Sequence, residues 1–308
     1  MKSKNLIEGI IVPIISPIDE QEELDEDGFR ALLQYSIKKG IHGFFVAGTN
    51  GETMALTQEQ RNRIIKIAIE ETRGIVPVLC GVMDTSTKRV LKNIQWVEEN
   101  GGKYIVITPV FYARHACPEE QVRHFGMIAK STPLQIFIYN IPQFTGVNIS
   151  PDIFEQLKEY PNIIGIKESS ANFTQFLQYL YRNKNSSYSI FQGITELAGP
   201  SILLGANGCN PVLAPLFPEL YLELYKEAKA RNVERTYHLT NLVLKSGMIL
   251  KMTANATAAA KYALSTLGFT KKHCLRPTEP IKAEEEQEIS EWIERLHQEF
   301  IEYGIPSS

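Results

Sequence analysis

Lys167 follows the apolar run Ile163-Ile164-Gly165-Ile166 and precedes Glu168-Ser169-Ser170. A lysine at the end of such a run stands at the edge of an apolar interior, where burial disfavours an ammonium and leaves a free amine able to attack a carbonyl carbon. Taken alone, the position equally suits a strand-end lysine reaching solvent. Tyr139 closes a second apolar run, LQIFIYN, just before Ile141-Pro142. A phenol there can carry protons during imine formation and carbon–carbon cleavage, or it can simply cap the core with its hydroxyl in water. The third group is Ala47-Gly48-Thr49-Asn50-Gly51-Glu52-Thr53. It is a glycine-rich turn whose successive backbone amides suit a carboxylate, with the Thr49 hydroxyl as a further donor. Many turns of this kind only satisfy backbone geometry, and Glu52 is expected to act as a structural hydrogen-bond partner rather than an acid.

These residues matter only if one framework gathers them. Short β-branched runs followed by amphipathic, charge-bearing stretches recur with a spacing near thirty residues. Eight begin near Ile10, Gly43, Ile75, Lys103, Leu134, Asn162, Tyr188 and Gly208. Continuous apolar strands imply a parallel sheet covered on both faces. Helix starts are expected at Thr57, at Thr85 or Ser86, and at Ser150, from capping residues and from acidic residues or proline in the first turn. Eight βα units that close on themselves predict an α/β fold of the (β/α)8 TIM-barrel type over residues 1–217. The helical stretches from Pro218 onward predict a C-terminal helical extension over 218–308, its one obvious break the loop TKKHCLRPTEPIK. In such barrels the chemistry sits at strand C-termini and the loops after them. Tyr139 and Lys167 end the fifth and sixth strands, and the glycine-rich turn leaves the second.

Composition removes other classes of function. A net charge of −3 without a basic block argues against nucleic-acid or membrane partners. No apolar run is long enough to span a bilayer, and MKSKNLIE lacks a signal-peptide core, so a cytoplasmic location is expected. Cys80, Cys117, Cys209 and Cys274 are widely spaced, which predicts reduced thiols rather than disulfides or a metal site. His42, His115, His124, His238, His273 and His297 form no metal-binding pattern and are read as surface or core residues. Metal-dependent aldol chemistry needs convergent ligands that this pattern lacks.

In their order and spacing, GTNGE, YNIP and IIGIKES resemble the dihydrodipicolinate synthase and N-acetylneuraminate lyase family of class I aldolases. PIISP, VITP and the late segment around Arg276 and Pro280 extend the resemblance over essentially the whole chain. The resemblance implies that Lys167 forms a Schiff base with pyruvate or another 2-oxo acid, that Tyr139 relays protons, and that Thr49 and Asn50 bind the carboxylate. It implies an aldehyde as second substrate, no metal and no cofactor beyond the covalent imine. It also implies a homotetramer built from dimers, for which aromatic residues near Phe111 and Tyr112 suit an interface.

The departures bear on the partner aldehyde. Phe144 stands in the turn after YNIP where the synthase branch carries a carboxylate-binding arginine, and phenyl cannot replace a bidentate guanidinium. After strand seven, Gly193-Ile194-Thr195-Glu196 keeps the glutamate of the sialic-acid lyases but has Thr195 for their aspartate. GCNPVLAP puts Asn210 and Pro211 at the mouth of the pocket, and Asn50 replaces the commoner threonine of the strand-two turn. The resemblance places the family's second relay tyrosine, donated across a dimer interface, at Phe111, so either Tyr112 takes over by a local shift or that relay is cut. The leading expectation is a lyase acting as a 2-keto-3-deoxy sugar acid aldolase or N-acetylneuraminate lyase-like enzyme. The alternatives are 4-hydroxy-tetrahydrodipicolinate synthesis and a ligand-binding barrel without turnover.

Overall fold

A computed structural model describes residues 6–306. Residues 1–5, part of the MKSKNLIE stretch read for a signal peptide, lie outside the described residues. The elements run β1 (Gly9–Pro13), α1 (Glu26–Lys38), β2 (Gly43–Val46), α2 (Gln58–Thr72), β3 (Val78–Gly81), α3 (Thr87–Glu99), β4 (Tyr104–Ile107) and α4 (Pro118–Ser131). They continue through β5 (Gln135–Asn140), α5 (Pro142–Thr145), α6 (Pro151–Leu157), β6 (Ile163–Glu168), α7 (Phe173–Asn183), β7 (Ser189–Gln192), α8 (Ala198–Leu203) and β8 (Gly208–Cys209). Four helices complete the chain: α9 (Pro218–Lys229), α10 (Val233–Gly247), α11 (Ala256–Ser265) and α12 (Ala283–Glu302). All eight strands are parallel, and β8 pairs with β1, so the expected (β/α)8 barrel closes.

Local chemistry accounts for the borders. Thr57 and Gln60 form a reciprocal capping box, Ser86 rather than Thr85 caps α3, and Ser150 caps α6 ahead of a proline. Strand β3 begins beyond Pro77 rather than at Ile75, which is exposed. Strand β8 ends at Cys209; Asn210 still donates its amide to the Gln192 carbonyl, but Pro211 has no N–H to continue the ladder.

Two apolar layers result. One packs the helices on the outside of the barrel; the other fills the barrel with Ile11, Phe45, Leu79, Val106, Phe137, Tyr139, Ile164 and Phe191. The β5–β6 register slips by one residue at Ile164, from Ile136↔Ile163 to Phe137↔Gly165. That irregularity lets Ile164 and Lys167 both face the interior although they stand three positions apart.

The C-terminal region departs from its simple outline. Helix α9 packs on β1 and α8, and Lys39 at the end of α1 reaches Glu219 at 2.8 Å, so α9 supplies the eighth helix of the ring. A division at residue 217 therefore leaves that helix on the side of the extension. The loop TKKHCLRPTEPIK is also not the sole break. Arg231, with φ +59°, and the Asn232 cap separate α9 from α10, and a second interruption precedes the Asn255 cap of α11. Among the described residues no helix is long and apolar enough to cross a membrane.

Candidate active site

The barrel's C-terminal end opens into a pocket of about 850 Å³. Lys167 lies at its base, 6% exposed, with Nζ 4.2 Å from the centre of the Tyr139 ring and 4.9 Å from that of Phe45. Tyr139 and Lys167 are register partners across β5 and β6, so their side chains leave the sheet on the same face. Phe45 meets Tyr139 edge to face, with centroids 5.8 Å apart, and walls in the amine.

Glu168 points to the other face. Its carboxylate accepts hydrogen bonds from the Ser170 N–H at 2.6 Å, Asn140 Nδ2 at 2.7 Å and Gln175 Nε2 at 3.2 Å. Burial pushes its pKa up against these bonds, and the net joins β5, β6 and α7 directly behind Lys167.

The strand-two turn forms the opposite wall. Gly51 and Thr53 donate their amides to the Gly48 carbonyl and Glu52 donates to that of Thr49. The Thr49 and Asn50 amides have no acceptor among the described residues, and both residues line the pocket. Glu52 is structural, as expected: Oε1 accepts the Leu275 N–H at 2.9 Å, and Oε2 pairs with the fully buried Lys261.

Gly193, Thr195 and Glu196 line the side below β7, and Glu196 pairs with Lys251 at 3.2 Å. Gly193 donates its amide to the Glu168 carbonyl at 2.8 Å. A Cβ on it would come within 1.8 Å of Ser169 Oγ, so only glycine allows Ser169 to sit in the wall. Asn210 is not at the mouth. It is 6% exposed, donates from Nδ2 to the Ile11 carbonyl at 2.9 Å, and shares with Lys167 a small cavity among the barrel-filling side chains. Phe144, 68% exposed, lies at the rim on the short helix α5.

Tyr112 lies outside this chain's own pocket, 97% exposed and with φ +69°, while Phe111 lines the wall. The loop carrying both is held by two histidines that their sequence positions left unconnected. His115 Nε2 accepts the Val110 N–H at 3.2 Å, and its ring lies 5.4 Å from that of His124. His124 Nε2 donates to the Thr108 carbonyl at 3.1 Å, which leaves Nδ1 to accept from Thr87 Oγ1 at 2.9 Å. Burial pushes the His124 pKa down to about 4.

Sequence reasoning placed Asn210 among the site residues but not Thr53, Thr108 or Ser169, and it missed the outer wall. Thr53 Oγ1, Thr108 Oγ1, Ser169 Oγ and Asn210 Oδ1 are buried in the pocket wall without a hydrogen-bond partner among the described residues. Such atoms are uncommon because each forfeits its hydration. Leu275, Arg276, Pro277 and Thr278 form the outer wall, although they belong to the C-terminal loop. Ser169 and Asn210 were visible as polar residues at strand ends, whereas the loop carried no comparable signal. Among the described residues no three of His, Cys, Asp or Glu gather as a metal-binding group.

A closed parallel barrel with a buried lysine and tyrosine beneath a deep pocket at the strand C-termini has the layout of a (β/α)8-barrel enzyme. Residues 6–296 match the profile of the dihydrodipicolinate synthetase family, and the chain belongs to that family of lyases. An uncharacterised DapA-like lyase of Pyrococcus abyssi is 30% identical over 282 residues, covering 91% of this chain and 94% of that protein. The 4-hydroxy-tetrahydrodipicolinate synthase of Methanopyrus kandleri is 32% identical over 236 residues, covering 76% and 78%. Among solved structures, dihydrodipicolinate synthase from Bacteroides thetaiotaomicron superposes with a TM-score of 0.90 at 30% identity, covering 95% of this chain and 100% of that one. The pyruvate complex of the Acinetobacter baumannii synthase gives 0.89 at 25% identity, covering 94% and 99%.

Proposed function

We propose that this protein is a cytoplasmic class I aldolase that cleaves a 2-keto-3-deoxy sugar acid, or a related hydroxylated 2-oxo acid, to pyruvate and an aldehyde. The observation that carries the reading is the Lys167 amine, buried among apolar rings, 4.2 Å from the Tyr139 ring and open to the pocket. The amine adds to the C2 carbonyl, and loss of water gives an iminium that withdraws electrons. The C4 hydroxyl gives up its proton through Tyr139 as the C3–C4 bond breaks, releasing the aldehyde and leaving an enamine. Protonation at C3 and hydrolysis then release pyruvate and restore the lysine. The iminium is itself the electron sink, so the steps need no cofactor or metal. The Thr49 and Asn50 amides supply two donors for the carboxylate.

A hydroxylated partner is supported by Thr53, Thr108, Ser169 and Asn210, whose buried oxygens require partners, with Thr195 and Glu196 beside them. Exposed Tyr112 suits an interface in the homotetramer that we expect. Borohydride reduction in the presence of pyruvate, followed by peptide mapping, should attach the adduct to Lys167, and Lys167→Ala should abolish it. A persistent adduct in that variant would remove the proposal. Pyruvate release from a panel of 2-keto-3-deoxy sugar acids identifies the partner; binding without release would favour a barrel that has lost turnover.

The second reading is 4-hydroxy-tetrahydrodipicolinate synthesis. It is supported by relatives bearing that name and by Arg276, which gives the pocket rim a cation despite Phe144. Growth of a diaminopimelate-requiring strain on this gene separates it from sugar-acid cleavage.

A further inference from the structure

Lys261 is fully buried on α11, far in sequence from the strand-two turn, yet its ammonium pairs with Glu52 and donates to the His273 carbonyl at 2.8 Å. Glu52 also accepts the Leu275 N–H. One buried ion pair thus ties together the turn that presents Thr49 and Asn50, helix α11, and the segment whose residues 275–278 form the outer wall of the pocket. Ala47 and Glu52, which bracket the turn, both have φ +53°. Residues with a Cβ adopt that conformation at a cost, and it persists where the surroundings over-determine it. Apart from the His273 carbonyl and the Leu275 amide, each buried charge is compensated by the other, so the pair resists separation.

We infer that Lys261 is a positioning residue for substrate binding: through Glu52 it holds the strand-two turn against the wall supplied by the C-terminal extension, so that turn and extension work as one unit. The effect on substrate rests on the reading of Thr49 and Asn50 as the carboxylate site; the mechanical coupling does not.

The full-length chain carrying Lys261→Met, and a Glu52→Gln/Lys261→Met double variant without an unpaired buried charge, provide the test. In hydrogen exchange read by mass spectrometry, peptides spanning 48–56 and 273–280 should exchange about tenfold faster together, with those of β5 and β6 unchanged. The pyruvate concentration giving half-maximal borohydride trapping should rise about tenfold, while the maximal adduct on Lys167 stays at the parent level. The double variant should show the same two changes, because methionine cannot donate to the His273 carbonyl, and it supplies the result if the single variant does not fold. Lower thermal stability with an unchanged half-saturating concentration, or loosening of only one of the two segments, would overturn the inference. Absence of any Lys167 adduct in the parent protein would defeat the Schiff-base reading and with it the substrate effect. Exchange alone would then decide the coupling.

Discussion

Tyr139 and Lys167 are direct partners across the β5–β6 ladder, and the amine of one stands 4.2 Å from the ring of the other inside the barrel. Tyr139→Phe keeps the ring and its contacts and removes only the hydroxyl. Aldol turnover should fall by about 10²–10⁴-fold, the usual contribution of a positioned proton carrier. A pyruvate adduct should still form on Lys167 at long incubation. Turnover within a few-fold of the parent would mean that another group moves the proton.

Gly193→Ala should be among the more damaging small changes in the site. The added Cβ would lie 1.8 Å from Ser169 Oγ and 2.8 Å from the Glu168 carbonyl oxygen. Overpacking of this kind costs about 1–3 kcal/mol, measurable by urea denaturation. Ser169→Ala in the same chain should recover only part of the loss, because the backbone carbonyl remains. Full recovery would assign the clash to the serine alone.

His124 predicts acid sensitivity. Burial, and then the nearby His115, lowers its pKa from the ordinary 6.5 to about 4. The unfolded chain therefore takes up this proton first, so the contribution to stability is complete above about pH 6.5 and is lost as pH falls towards 4. Between pH 7.5 and 5 the loss from this group is about 2 kcal/mol. His115, also lowered by burial, acts in the same direction, while Glu168, raised by burial, binds its proton more readily in the folded state and offsets part of the loss at the acid end. Urea unfolding at the two pH values should show the fall in the parent and a shallower one in His124→Asn. Equal slopes would refute the assignment.

Phe144 sits exposed at the rim, where a guanidinium could reach a ligand without desolvation. Phe144→Arg should improve kcat/KM for aldehydes bearing a carboxylate by about tenfold relative to neutral ones, with stability altered by less than about 0.5 kcal/mol. A parallel change for both classes would show that position 144 does not read the partner's charge.

Much of this was legible beforehand because it depends on local rules. Apolar runs at regular spacing, the Thr57 and Ser150 caps and the prolines determine where strands and helices form, and the barrel is the closure they permit. The polar residues ending β5 and β6 were visible for the same reason: they interrupt runs that must be buried. The Arg231–Asn232 break was harder to see, since two adjacent polar residues in a helical stretch are ordinary and only the backbone shows one of them with positive φ.

By itself, the sequence determined the eight-stranded order, the class of chemistry open to Lys167 and Tyr139, and the polar character of the strand-two turn. Tertiary structure alone decided that Asn210 lies buried beside Lys167, that Tyr112 points to solvent while Phe111 enters the wall, and that Lys261 reaches Glu52. The physical reason is range. Capping, periodicity and strand-end polarity act over a few residues. Burial of a side chain, and the partner it finds there, depends on which distant segments the closing of the barrel brings against it.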